Sequence, residues 1–215
     1  MNTNISAKRV LVYGDSVTWG RIAKKTERFD AQTRYTSVLQ NELGNNFEVI
    51  EEGLKSRMAK GENPYSAYKN GYEQFIPIFS SHLPIDILVI FLGINDTNNK
   101  ANKSSEQIVQ DLESYIQLVS ELSKDLSFSK SESIIFVSPH NIDSSKLKEG
   151  SMFSGASEKI SKLPELIENM TSKHTLHHFK AGSFIKNTSE DGVHLGAKEN
   201  VLLGKKLADF IKHNL

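Results

Sequence analysis

The run Asp86-Ile87-Leu88-Val89-Ile90-Phe91-Leu92 limits the fold more than any other stretch of this chain. Past its aspartate it is apolar at every position, so it has no polar face to turn towards water. It is too short for a buried helix and rich in bulky and β-branched residues, which makes it a strand covered on both faces. Strands of that kind belong to parallel sheets with helices packed on each side. Arg9–Tyr13, Phe47–Ile50, Ser133–Ser138 and Thr175–Phe179 read as four further strands.

Helical signals fill the intervals. Ala31–Leu43 is closed by Gly44, and a helix is predicted from Pro64 towards His82 with interruptions at Gly71 and Pro77. Ser104 and Gln107 form a capping box ahead of Ile108, Leu112, Tyr115, Val119, Leu122 and Leu126 at helical spacing. Ser157–Met170 and Ala197–His213 complete the set. Strands alternating with helices predict one domain over residues 1–215, a three-layer α/β/α arrangement around a five-stranded parallel sheet in flavodoxin-like order.

Three successive strands end in glycine-bearing turns: Gly14-Asp15-Ser16, Gly53, and Gly93-Ile94-Asn95-Asp96. A parallel sheet delivers all three to one edge, where open α/β folds bind ligands. Asp191 and His194 stand in the turn before the final helix, at the same edge if a fifth strand precedes them. Their spacing lets the carboxylate fold back onto one ring nitrogen and leave the other free as a base. Ser16 is then the nucleophile, His194 the base and Asp191 the orienting group. Backbone N–H groups of Ser16 and Gly53 and the amide of Asn95 are candidate donors to an oxyanion. Each residue also has a plainer explanation: Ser16 as a helix cap, Gly53 as a strand end, Asn95-Asp96 and Asp191-Gly192 as turns.

Composition removes several function classes. Lysine and arginine number 26 against 26 acidic residues, so no net field points to nucleic acid or an anionic membrane. The absence of cysteine excludes a disulfide framework, a thiolate nucleophile and Cys-type zinc ligation. Met1–Lys8 is polar, and no apolar run approaches the length of a membrane span, so a cytoplasmic protein is expected.

Gly14-Asp15-Ser16 with Thr18 and Gly20, Gly53, Gly93-x-Asn95-Asp96 and Asp191-x-x-His194 together resemble the four blocks of the SGNH, or GDSL, hydrolases. Val49–Leu54, Asn70-Gly71 and Asp191–Leu195 make the likeness closest to the arylesterase-like branch. The resemblance runs from Arg9 to the last helix. It implies an esterase or acyl hydrolase with the roles given above, a small-molecule ester substrate, no cofactor, no metal, and self-association as a possible homo-oligomer. Two positions depart from the pattern: Lys55-Ser56-Arg57-Met58 stands where small residues and threonines are expected, and Ile94 where threonine is frequent.

Two rival readings keep much of this pattern. A metal phosphoesterase would want Asp-x-His and Asn-His pairs in ligand positions, and these do not accompany the strands; His174, His177 and His178 are the histidine cluster that is present. A non-catalytic binding module on the same fold would be favoured had Ser16, Asp191 or His194 been missing. There is no Gly-x-Ser-x-Gly, Gly-x-Gly-x-x-Gly or Gly-Lys-Ser/Thr signature. Trp19, Met58, Met152 and Phe153 fall in loops and read either as an apolar acyl pocket or as ordinary packing.

Overall fold

A computed structural model describes residues 4–123, 133–186 and 188–215. Five parallel strands, β1 (Lys8–Gly14), β2 (Phe47–Gly53), β3 (Ile87–Phe91), β4 (Ile134–Ser138) and β5 (His177–Lys180), form one sheet in the order β2-β1-β3-β4-β5. The helices are α1 (Ser16–Trp19), α2 (Tyr35–Leu43), α3 (Gly71–His82), α4 (Ser105–Leu122), α5 (Ala156–Lys173) and α6 (Ala197–Asn214). The doubly wound arrangement expected from the alternation is therefore the one observed.

Alternation along the strands splits the core in two. Leu11 and Tyr13 of β1 and Leu88 and Ile90 of β3 face Phe75 and Phe79 of α3, Ile108, Leu112 and Tyr115 of α4, and Leu163 and Ile167 of α5. Val10, Val12, Ile87, Val89 and Phe91 face Tyr35 and Leu39 of α2 and Leu203, Leu207 and Ile211 of α6. Each strand residue points opposite to its neighbour, so β1 and β3 must be apolar throughout to satisfy both layers.

Several predicted boundaries move. Tyr35 rather than Ala31 begins α2, and residues 31–34 are turns. No helix starts at Pro64; residues 64–70 are turns and bridges, and α3 begins at Gly71 with Asn70 as its cap. Pro64 there opens a bend instead of a first helical turn. Gly71 is required by packing, since a Cβ would lie 2.3 Å from Met58 O. β2 runs three residues beyond Ile50 because Glu51, Glu52 and Gly53 stay in register with Val12, Tyr13 and Gly14. The capping box is present: Gln107 N–H donates to Ser104 Oγ (3.2 Å) and Ser104 N–H to Gln107 Oε1 (2.8 Å). Leu126 lies outside the described residues.

Candidate active site

Every predicted site residue stands at the carboxyl edge of the sheet. β1 ends at Gly14, whose missing side chain is demanded by its neighbours: a Cβ would lie 2.0 Å from Thr18 Oγ1 and 3.0 Å from Phe91 O. The chain can therefore turn tightly under α1. Asp15, and not Ser16, caps that helix, its side chain accepting the Val17 N–H at 2.9 Å. This frees the hydroxyl of Ser16, the first helical residue, which is 6% exposed.

Ser16 Oγ lies 3.0 Å from His194 Nε2, and His194 Nδ1 lies 2.6 Å from Asp191 Oδ2. With the carboxylate on Nδ1, that nitrogen carries the proton and Nε2 is the acceptor facing the serine. The other Asp191 oxygen accepts Val193 N–H at 3.0 Å and His194 N–H at 2.9 Å, and the Ser189 hydroxyl lies 3.0 Å from it and 2.9 Å from His194 O, its single hydrogen shared between the two. Burial alone would raise the Asp191 carboxyl. The hydrogen bond and charge of His194, with the two N–H donors, outweigh it and hold the group well below the usual carboxylate range.

The loop from Ser189 to His194 has a support that the sequence did not flag. His140, fully buried at the end of β4, donates Nε2–H to Val193 O at 2.6 Å and so ties the loop to the sheet. Desolvation pushes its pKa down to about 4, keeping it neutral. The sequence contained only a histidine in a loop, with nothing to link it to a residue so far along the chain.

On the other side of Ser16, the Asn95 amide nitrogen donates to Arg57 O at 3.0 Å and approaches Asp15 Oδ2 at 3.3 Å. Both neighbours are acceptors, which fixes the amide with its nitrogen towards Asp15 and Arg57 O. Asp15 is buried, and desolvation raises its pKa to about 7 against the lowering effects of Val17 N–H and Arg57. Arg57, one of the residues that depart from the family pattern, has contacts that the sequence does not reveal. Its guanidinium donates to Gly14 O (2.8 Å) and Glu52 O (2.6 Å) and stacks 4.1 Å from the Tyr13 ring, tying the ends of β1 and β2 together.

Gly53 pairs with Gly14 in the sheet and is pinned beneath α1, where a Cβ would meet Trp19 N at 2.2 Å. That contact alone requires glycine. The turn that follows closes through Arg57 N–H to Leu54 O (3.1 Å) and holds Ser56 at φ +66°. A non-glycine residue in that region carries strain of about 1–3 kcal/mol, which only a well-determined surrounding sustains. Asp96 anchors the loop: it accepts Ala59 N–H (2.8 Å) and pairs with Lys103 (3.0 Å).

Of the four loop residues with an open role, Met152 and Phe153 line a cleft of about 530 Å³ beside Asp191 and His194. Arg28 and Lys55 lie over the Trp19 ring, 5.3 and 4.5 Å from its centre. Met58 is fully buried against Asn98 and is packing. The three histidines of the cluster do not converge: His174 bonds Glu113 at 2.6 Å and His177 meets the Phe210 ring edge. Among the described residues no group of three or more His, Cys, Asp or Glu is placed to hold a metal ion.

No family model and no curated protein matches the sequence. Solved structures do. The M. smegmatis aryl esterase superposes with a TM-score of 0.88 at 30% identity, covering 97% of this chain and 100% of that one. The chain belongs to the SGNH (GDSL) hydrolases, in their arylesterase-like branch. It is a carboxylic ester hydrolase. Est24, a carbohydrate acetylesterase from Sinorhizobium meliloti, gives a TM-score of 0.87 at 28% identity over 97% of this chain and 100% of its own. The lipase/acylhydrolase from Enterococcus faecalis, at 18% identity and a TM-score of 0.70 over 96% of each chain, shares the fold. In this esterase no described helix is long and apolar enough to cross a membrane.

Proposed function

We propose that this esterase cleaves small carboxylic esters through an acyl-enzyme on Ser16. The supporting observation is the unbroken chain from Ser16 Oγ to His194 Nε2 and from Nδ1 to Asp191, at 3.0 and 2.6 Å. His194 takes the Ser16 proton as Oγ attacks the ester carbonyl carbon, and Asp191 stabilises the imidazolium that forms. The carbonyl oxygen becomes an oxyanion. The Ser16 N–H, the Gly53 N–H and the Asn95 amide are its donors. As the tetrahedral species collapses, His194 returns its proton to the departing alcohol. Water, deprotonated by the same nitrogen, then attacks the acyl carbon, and the carboxylic acid leaves with Ser16 restored.

Acetyl and other short acyl esters of aryl or carbohydrate alcohols are the proposed substrates, in line with the aryl esterase and acetylesterase relatives. The direct test is Ser16→Ala assayed on p-nitrophenyl acetate beside a thermal melt. Turnover should drop to background while the melting temperature stays close to that of the wild type. A variant that folds and still turns over removes Ser16 from the mechanism.

A further inference from the structure

Arg21 follows the glycine that closes α1, and its backbone N–H donates to Ser16 O at 2.9 Å. An antiparallel bridge to Arg28 holds the segment from the other side. The base of this side chain is thus fixed to the backbone of the nucleophile. The side chain itself lines the cleft beside His194, together with Met152 and Phe153.

Among the described residues, Arg21, Lys148 and Glu149 are the charges around that cleft without an ion pair, and of these Arg21 is the one that is half-buried. Lys24 pairs with Glu190 at 2.9 Å, Lys146 with Asp143 at 3.2 Å, and Asp191 with His194. Lys148 and Glu149, adjacent and of opposite sign, are exposed on the rim. Arg21 Nε is buried and has no hydrogen-bond partner. A guanidinium N–H left unpaired out of water is costly. The covered Nε–H is out of a ligand's reach, but the residue is only half-buried and its guanidinium makes no ion pair among the described residues, so the rest of the fork is open to an acceptor brought into the cleft.

The position tells which part of a substrate would reach it. His194 hands its proton to the departing alcohol, so a cleft bordered by His194 receives the alcohol portion of the ester. Met152, half-buried over the packed Phe153, offers an apolar contact to an aryl or alkyl body, and a guanidinium fork fits a carboxylate or phosphate. Building on the Ser16–His194 reading above, we infer that Arg21 is a specificity determinant for esters whose alcohol portion carries an anionic oxygen group.

The test compares para-acetoxybenzoate, para-acetoxyphenyl phosphate and the neutral methyl para-acetoxybenzoate, with each kcat/KM divided by the hydroxide-catalysed rate of the same ester. Wild type should favour one or both anions over the neutral ester by about ten- to a hundredfold, the range of a charged hydrogen bond. The preference should lie mainly in KM, as binding shared by ground and transition states does. Arg21→Gln should bring the ratio to near one, and Arg21→Lys should keep part of it. Added salt should narrow it in the wild type, a readout independent of how well any variant folds. The carboxylate and phosphate arms separate the two anion classes. A wild-type ratio of one or less for both anions, or a preference that survives Arg21→Gln, overturns the proposal. Failure of the underlying mechanism looks different: Ser16→Ala would then still hydrolyse the neutral methyl ester.

Discussion

On one side of Ser16, the loop from Ser189 to His194 commits every acceptor position of Asp191 to itself. Two backbone N–H groups donate to one carboxylate oxygen, the Ser189 hydroxyl is shared between it and His194 O, and His194 Nδ1–H donates to the other. On the opposite side, Asn95 offers its amide hydrogens to Arg57 O and, at the longer 3.3 Å, to the buried carboxyl of Asp15. The base side is therefore complete before substrate arrives. The Asn95 amide is held by one contact at 3.0 Å and a longer one at 3.3 Å, and under the proposed mechanism an oxyanion replaces the longer one. The difference follows from when each charge exists: the imidazole must be oriented from the outset, whereas the oxyanion appears only in the transition state.

The predictions test that contrast, from the largest effect to the smallest. Asp191→Asn should leave the loop nearly intact yet strip the proton from the required tautomer, lowering kcat by about ten-thousandfold. Steady-state kinetics on p-nitrophenyl acetate measure it; a loss below tenfold would show that the base side is not organised by this carboxylate. Asn95→Ala should lower kcat by about a hundred- to a thousandfold with KM nearly unchanged, since it removes a donor used in the transition state. A variant that melts early but turns over normally would assign Asn95 to the fold alone.

His140→Leu leaves Val193 O without its donor in a buried setting. A stability loss of about 1–3 kcal/mol is expected in denaturant unfolding. Displacement of the His194 loop should add a kcat loss of up to about a hundredfold. Normal kcat in a destabilised variant would confine His140 to stability.

The smallest expected effect is a pH dependence on the donor side. Asp15 has its folded pKa raised from 3.8 to about 7, so between those values the folded protein holds a proton that the unfolded chain releases. Its contribution is fully present below the unfolded value and is lost as pH rises through about 7. Asp15→Asn cannot titrate. The melting temperature of the variant relative to wild type should therefore rise from about pH 5 to about pH 8. A difference that is flat or falls across that window contradicts the burial argument for Asp15.

What could be read from the sequence was whatever is local or periodic. Asp191 and His194 are three residues apart, so a turn suffices to join them, and the two-faced apolarity of Ile87–Phe91 demanded a central strand. The Ser104–Gln107 box lies within one helical turn. What escaped reading depends on contacts between distant segments. Arg57 reaches Gly14 O across 43 residues, and His140 reaches Val193 O across 53. Neither bond leaves a mark in residue spacing. Pro64 carried a helix-start signal that the surrounding bridges overrode, because Met58 and Asn70 pair and set the helix start at Gly71. Gly53 looked like a donor site, and its packing against Trp19 N appears only in the folded chain.

The central claim is that His194 activates Ser16 as the attacking atom. Incubation with a fluorophosphonate, followed by digestion and mass analysis, tests it at the level of one residue. The account predicts a single adduct on the peptide containing Ser16, with labelling much slower in His194→Ala and abolished in Ser16→Ala. Labelling at another serine, or equal rates in wild type and His194→Ala, would contradict it.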